Sequence, residues 1–208
     1  MGSLLALCRV DKLLPDAGSV GVTAIDKKPV AEPLDVKAYG VYGDVQADRK
    51  DHGGIFQAVY AYAQEDADWW AAELGREIPP GLFGENLRTL GLAASDAEIG
   101  ERWLVGDSLL LEVTAPRTPC ATFQRRMGEA QWVKRFADAG RLGAYFRVVE
   151  RGSIAAGDDI EVTHRPGHGV TVRRLFEARG GEKAALATTL AEHQAAETLH
   201  PEIRKLLA

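Results

Sequence analysis

The sequence predicts a mainly β domain interrupted by helices and followed by a small C-terminal α-helical extension. Three observations point that way. Over the first 165 residues or so, Val, Thr and aromatic residues gather in short runs separated by Gly, Pro and Asp. Two stretches within that region instead carry helical signals. After Arg165-Pro166-Gly167-His168-Gly169 the composition changes and reads as helix.

The expected strands are Leu4–Val10, Gly21–Ile25, Ala58–Tyr62, Trp103–Val105, Ser108–Thr114, Ala144–Glu150 and Asp159–Thr163. Many short strands with frequent turn residues suggest a closed barrel or a sandwich. A Gly-Asp pair precedes two of them, at Gly106-Asp107 and Gly157-Asp158, and reads as repeated hairpin chemistry.

The interrupting helices are Gln64–Leu74, with acidic residues in its first turn, and Gln131–Ala139, which stops at Gly140. Trp69-Trp70 reads as packing rather than as a stacking platform. The β-rich domain is expected over 1–165 and the helical extension over 170–208. In the extension, Val170–Arg179, Glu182–Leu199 and a short segment after Pro201 form helices. That unit is too small to be very stable alone and should dock on the β domain.

Bulk properties exclude several classes. The chain has 208 residues, and 46% hydrophobic with 26% charged residues is the ordinary globular range. A net charge of -5 argues against non-specific nucleic-acid binding, which needs a basic face. No run of about 18 apolar residues exists to span a membrane, and the N-terminus lacks a basic leader. Cys8 and Cys120 lie far apart and read as reduced thiols of a cytoplasmic protein.

The stretch Ala115-Pro116-Arg117-Thr118-Pro119-Cys120 directly follows a strong predicted strand. Each proline fixes its own φ and pushes its predecessor towards an extended conformation. The result is a stiff loop presenting Cys120 at a strand end. Arg117 precedes the cysteine, and Arg125 and Arg126 follow it. Neighbouring cations favour the thiolate, the form that binds soft metals. A buried core cysteine suits the same position, because free thiols commonly pack as small apolar groups.

A second stretch runs from Gly43 to Gly54 and contains Arg49, Lys50, His52, Gly53 and Gly54. Its glycines allow close backbone approach, and its cations and His52 can serve a phosphate. It reads equally as a polar loop with a glycine turn. The third stretch, Phe83-Gly84-Glu85-Asn86-Leu87, places polar groups at a strand entry. His164 and His168 are four apart, but Pro166 and Gly167 preclude a regular helix, and two further zinc ligands are lacking.

In this order the stretches resemble the MOSC domain, in its short bacterial form called YiiM-like. The motifs are Gly43-Asp44-x-Gln46-x-Asp48, His52-Gly53-Gly54, Ala58-Val59-x-x-Tyr62, Phe83-Gly84-Glu85-Asn86-Leu87, Ile99-Gly100-x-Arg102, Pro116-Arg117-x-Pro119-Cys120 and Gly140-Arg141-x-Gly143. The resemblance implies a β-barrel in which Cys120 coordinates molybdenum. The other ligands would be the dithiolene of one molybdopterin and oxo or hydroxo groups. It implies that His52, Gly53, Gly54, Asn86, Arg117 and Arg141 hold the pterin and its phosphate. The tail is similar to a three-helix extension found on many such proteins. Longer members carry an N-terminal β-domain that this chain is expected to lack, so the barrel, the tail or a second subunit should complete the pocket. Arg88 stands where a smaller residue is expected and should alter the pocket rim.

The resemblance further implies a molybdenum-dependent reductase of N-hydroxylated compounds. Two cysteines cannot hold a cluster that needs four thiolates, so an external electron-donor protein is expected. Glu85, Asp48 or His52 would donate protons. The expected partners are an N-hydroxylated small molecule, the electron donor and, in a homodimer, a second copy. The alternative is a molybdenum-cofactor or sulfur-carrier module, with Cys120 holding cofactor or persulfide without turnover. The plainest alternative is a β-barrel interaction protein with a structural cysteine.

Overall fold

The structure, a computed structural model, describes residues 1–47, 53–194 and 196–207. In chain order the strands are β1 (Gly2–Val10), β2 (Leu14–Pro15), β3 (Val22–Thr23), β4 (Lys27–Val30), β5 (Leu34–Lys37), β6 (Gly40–Val41), β7 (Val59–Ala63), β8 (Leu87–Leu90), β9 (Arg102–Val105), β10 (Leu109–Pro116), β11 (Ala144–Glu150), β12 (Gly152–Ile154) and β13 (Asp159–His164). The helices are α1 (Gln64–Leu74), α2 (Ala121–Met127), α3 (Trp132–Ala139), α4 (Val172–Glu177), α5 (Gly180–His193) and α6 (Pro201–Arg204).

Neighbouring strands run β13-β9-β10-β11-β7-β8-β1, and β1 pairs back with β13 through Gly2↔Ile160 and Ser3↔Asp159. This closes a barrel and leaves those strands without a free edge. β7 and β8 are parallel, so they need a crossover, and α1 lies within it. The far end of β1 pairs β4, from Leu7↔Val30 to Val10↔Lys27. That extension carries the chain past the barrel mouth.

Two apolar clusters hold this arrangement. The barrel interior contains Leu4, Leu7, Val59, Leu87, Leu111, Val113 and Phe146. The second cluster packs α1, α2 and α3 against β7 through Tyr62, Trp70, Phe83, Phe123, Trp132 and Phe136. Trp70 is buried while Trp69 is exposed, so the Trp-Trp pair divides between core and surface. The helical extension is continuous with the barrel interior: Val172, Leu175, Leu186, Leu190 and Ile203 belong to the same cluster.

The segment Arg165–Gly169 is tethered along its length. Glu98 accepts from the Gly167 and Gly169 N–H groups at 2.6 and 3.0 Å, and His168 Nε2 meets the Ile99 carbonyl at 2.9 Å.

Several expectations change. Gly21–Ile25 shrinks to the two residues of β3, since it pairs only the equally short β2. Gly106-Asp107 does turn the β9–β10 hairpin, but Gly157-Asp158 does not make one, because β12 pairs β5 while β13 pairs β1 and β9. The strands β2, β4, β5, β6, β8 and β12 and the helix α2 escape the sequence pattern. The expected helix Glu182–Leu199 starts at Gly180, ends at His193 and gives way to a 3-10 turn at Ala196–Thr198. No helix among the described residues is long and apolar enough to cross a membrane.

Candidate functional site

β10 ends at Pro116, and the stiff segment after it delivers Cys120, in extended backbone, just before α2. Both cysteines are free thiols. They differ in their surroundings. Cys8 has no exposed surface, and burial, aided by the nearby Glu85 charge, pushes its thiol up to about 12. It stays protonated and inert. Cys120 is half-buried and lines a cavity of about 480 Å³. Cys8 is a core cysteine, whereas Cys120 packs against the aromatic cluster on one side and lines the cavity on the other.

The cavity opens where β10 finishes and where β7 and β11 begin. Its rim is the β2–β3 hairpin, which Asp16 ties to α2, the helix that follows Cys120. The Asp16 carboxylate accepts from Arg125 Nε at 2.9 Å, Arg125 Nη2 at 2.7 Å and the Thr122 hydroxyl at 2.9 Å. The Arg125 hydrogen bonds hold its carboxyl at about 2, well below the usual carboxylate range. Arg126 pairs with buried Asp26 at 2.7 Å. Two of the three cations expected around Cys120 are therefore committed to carboxylates.

Arg117 is the third, and it behaves differently. Its side chain lines the cavity, is 6% exposed, and lies flat enough on Phe123 to bring Cζ to 3.6 Å from the ring centre. Its Nη1 is buried and, among the described residues, has no hydrogen-bond partner. A buried unpaired donor costs about 1–3 kcal/mol, more when charged. That unmet donor marks the cavity wall as suited to an anion. Burial pushes the Tyr60 phenol well above its ordinary value and raises Tyr145, so both cavity tyrosines stay protonated. The Tyr60 hydroxyl donates to the Leu142 carbonyl at 2.8 Å and so acts as a fixed wall.

The opposite wall is a buried polar network. Asp44 accepts from the Val10 N–H at 2.9 Å, from Asn86 Nδ2 at 2.7 Å and from the Lys27 ammonium. The Lys27 and Asp44 side chains are 10% and 9% exposed. Asn86 also donates to the Cys8 carbonyl at 3.2 Å and accepts the Tyr60 N–H at 3.2 Å. Next to it, Gly84 has φ +80°, and a Cβ there would sit 3.0 Å from Ile25 Cγ1. The positive φ at Gly84 therefore favours glycine, and a larger residue would also have to displace the Ile25 side chain.

The residues singled out from sequence divide clearly. Cys120, Arg117 and Asn86 share the cavity, although the Asn86 amide is spent on wall contacts. His52 lies outside the described residues, as do Asp48, Arg49 and Lys50. Gly53 and Gly54 are not among the lining residues. Gly54 is instead pinned to the wall by Gln46, whose amide accepts its N–H at 2.8 Å. Arg141 stands away from the cavity, in an ion pair with Asp66 and 4.7 Å from the Trp69 ring centre.

Two expectations are corrected. Glu85 is fully buried and bonded to the Gly81 and Phe83 N–H groups and to Arg88, so it is no proton donor to the cavity. Arg88 is not on the rim. It is fully buried, holding Glu85, the Gln64 side chain and the Ile78 and Pro79 carbonyls. Sequence reasoning passed over Asp16, Lys27, Gln57 and Tyr145. The Pro15-Asp16 turn was the one local hint, and the others lack a local signal.

With this geometry in hand, residues 48–161 match the MOSC domain. This chain belongs to the MOSC family. It is 32% identical to YflK of Bacillus subtilis over 151 residues, covering 73% of this chain and 68% of that protein. A Gibberella moniliformis protein named reductase is 35% identical over 163 residues, which span 76% of this chain but 29% of that much longer relative. The crystal structure of YiiM from Geobacillus stearothermophilus superposes over 100% of both chains with a TM-score of 0.79 at 26% identity. The short bacterial MOSC form thus accounts for the barrel and the helical extension together, and MOSC domains are in general associated with molybdenum-cofactor binding.

Proposed function

We propose that this MOSC protein is a molybdenum-cofactor-dependent reductase of N-hydroxylated compounds, with Cys120 as the protein ligand to the metal. The observation that carries the reading is that one cavity holds both a reachable thiol, Cys120, and a buried cation, Arg117, whose Nη1 has no hydrogen-bond partner among the described residues. A volume of about 480 Å³ lies in the range of small-molecule sites, roughly 300–1,000 Å³. Among the described residues no cluster of three His, Cys, Asp or Glu side chains could hold a metal unaided. The donor set therefore fits a group that brings its own metal ligands and needs one thiolate.

Cys120 would anchor the group, since thiolates suit soft-tolerant metals. Arg117 would take an anionic oxygen with its guanidinium and is preset for it by Phe123. The Asp16–Arg125 contact would hold the rim over the ligand and limit water entry. Tyr60, Phe83 and Tyr145 would flank a flat ligand. When bound, the cofactor supplies the two-electron chemistry that converts N–OH, with two protons, to N–H and water. The electrons would come from an external donor protein. A cytoplasmic setting belongs to the same proposal, and the name of the Gibberella relative supports the reductase class.

Cofactor-loaded protein with a chemical reductant should convert members of an N-hydroxylated panel to the N–H product. Loaded protein that reduces none of a broad panel would sink the reading. A second reading, a sulfur or cofactor carrier, draws on the contrast between reachable Cys120 and inert Cys8. Cyanide-releasable sulfur on Cys120 without bound metal would favour it.

A further inference from the structure

Side chains alternate along β7 and β11. Val59, Ala61, Ala144 and Phe146 join the barrel interior, while Tyr60, Tyr62 and Tyr145 turn the other way, to the aromatic cluster. The three phenols have different fates. The Tyr60 hydroxyl donates to the Leu142 carbonyl at 2.8 Å and the Tyr62 hydroxyl to the Arg141 carbonyl at 2.9 Å. The Tyr145 carbonyl accepts from the Thr114 hydroxyl at 3.1 Å, but among the described residues the Tyr145 hydroxyl has no hydrogen-bond partner. Nor is it a buried orphan. Tyr145 is half-buried, and its oxygen is not one of the enclosed polar atoms that lack a partner. The hydroxyl therefore meets open space, and the space that Tyr145 lines is the cavity of Cys120 and Arg117.

The ring is held in place. It stands between Ala115 on β10 and Tyr60 on β7, and it packs on the Tyr60 ring with centroids 5.2 Å apart. The chain runs from Ala115 through Arg117 to Cys120, so the phenol stands beside the segment that presents the thiol. Burial raises the phenol above its ordinary value, against the Arg117 charge and with that of Cys120. Tyr145 is thus a neutral donor, fixed at the ring and open at the hydroxyl. Water satisfies such a group until a ligand atom replaces it.

We propose that Tyr145 is a catalytic residue of this site, its phenol donating a hydrogen bond to the oxygen of the substrate's N–OH group. The proposal rests on the reductase reading and names the group that tells an N-hydroxyl from an N–H. Negative charge gathers on that oxygen as the N–O bond breaks, and a fixed donor supports it. Tyr145 gives up no net proton. The two electrons come from the external donor and the two protons from solvent. The N–H product lacks the oxygen, loses the contact and leaves more readily.

The test uses protein purified from cells that make the cofactor, without reductant, and two matched neutral probes, N-hydroxybenzamide and benzamide. Tyrosine is isotope-labelled at Cζ, and the Tyr145 resonance is the one missing from Tyr145→Phe. N-hydroxybenzamide should shift it saturably and benzamide should not. Tyr145→Phe should bind N-hydroxybenzamide about tenfold more weakly and benzamide unchanged. Its metal and pterin content and its melting temperature should match wild type, because the hydroxyl has no protein partner to lose. Tyr62→Phe is the structural control. It should melt about 2–4 °C lower and keep the preference for the N-hydroxyl. In turnover, kcat of Tyr145→Phe should fall on the order of a hundredfold. No binding of N-hydroxybenzamide, equal affinity in wild type and Tyr145→Phe, or equal loss with both probes overturns the proposal. Loaded protein that reduces no N-hydroxylated compound contradicts the reductase reading itself, whereas a reductase indifferent to Tyr145→Phe contradicts this proposal alone.

Discussion

The guanidinium of Arg117 stacks on the ring of Phe123, with Cζ 3.6 Å from its centre, so the loop before Cys120 is locked to the helix after it. A planar cation does this and an ammonium does not. Arg117→Lys should therefore lose both the stack and the fork presented to the cavity. Cation–π contacts are worth about 2 kcal/mol when desolvated. At about 2–4 °C per kcal/mol for a chain of this size, melting should fall by several degrees. Cofactor retention, read as pterin fluorescence after desalting, should fall on the order of tenfold. Wild-type retention in Arg117→Lys would show that the unpaired donor is irrelevant to the ligand.

Asp16 binds Arg125 and Thr122 across the cavity rim. Asp16→Asn should loosen residues 16–21 with little global loss of stability, since the arginine is solvent-accessible and its charge well screened. Backbone amides of Gly18 and Gly21 should exchange faster, and a bound ligand should leave faster. Because the folded carboxyl sits at about 2 against an ordinary 3.8, this contact's contribution is complete above pH 4 and fades as pH drops towards 2. Unchanged exchange at Gly18 and Gly21 would remove the hairpin's role as a rim.

Glu85 and Arg88 form an ion pair with no exposed surface on either side chain. Breaking one partner of such a pair costs about 3–5 kcal/mol. Glu85→Gln should sharply lower the denaturation midpoint. Any folded fraction should bind cofactor normally, because Glu85 does not face the cavity. A stable, cofactor-free variant would reverse that assignment.

Two histidines, His168 and His200, are held below the ordinary 6.5, chiefly by burial. Around His200, Glu202 opposes the shift while Arg204 and Lys205 reinforce it. Around His168, the Ile99 carbonyl and Glu98 oppose it and His193 reinforces it. A depressed folded value means the unfolded chain takes up protons first. The stability these groups contribute is present above about pH 6.5 and is lost as pH falls through their folded values. Melting temperature should drop from pH 7.5 to 5.5, and His200→Gln should flatten part of that slope. An unaltered slope would mean that His200 does not titrate as its burial requires.

The sequence made the barrel legible where strands alternate or carry dense apolar runs, as in β1, β10 and β11. It hid β4 and β8, whose Lys27 and Arg88 look like surface residues. Both are buried by ion pairs, Lys27 with Asp44, 17 positions away, and Arg88 with Glu85, three positions away, and a charged residue buried by pairing breaks the apolar pattern that marks a strand. The Pro116–Cys120 loop was readable because proline stiffness is local. The wall was not. Gln57 acquires its place from His200, 143 positions away, and Asp16 from Arg125, 109 positions away. Arg141, a cation within a family motif, is not among the cavity-lining residues and is drawn to Asp66 and Trp69, a pairing that no local pattern announces.

In the proposed function Cys120 anchors a molybdenum cofactor. The most direct measurement is metal and pterin content of the wild-type protein and of Cys120→Ala, both purified from cells that make the cofactor. The account predicts molybdenum and pterin in near-stoichiometric amounts in the wild type and loss of molybdenum in the variant. Equal content in both proteins, whether high or negligible, would contradict it.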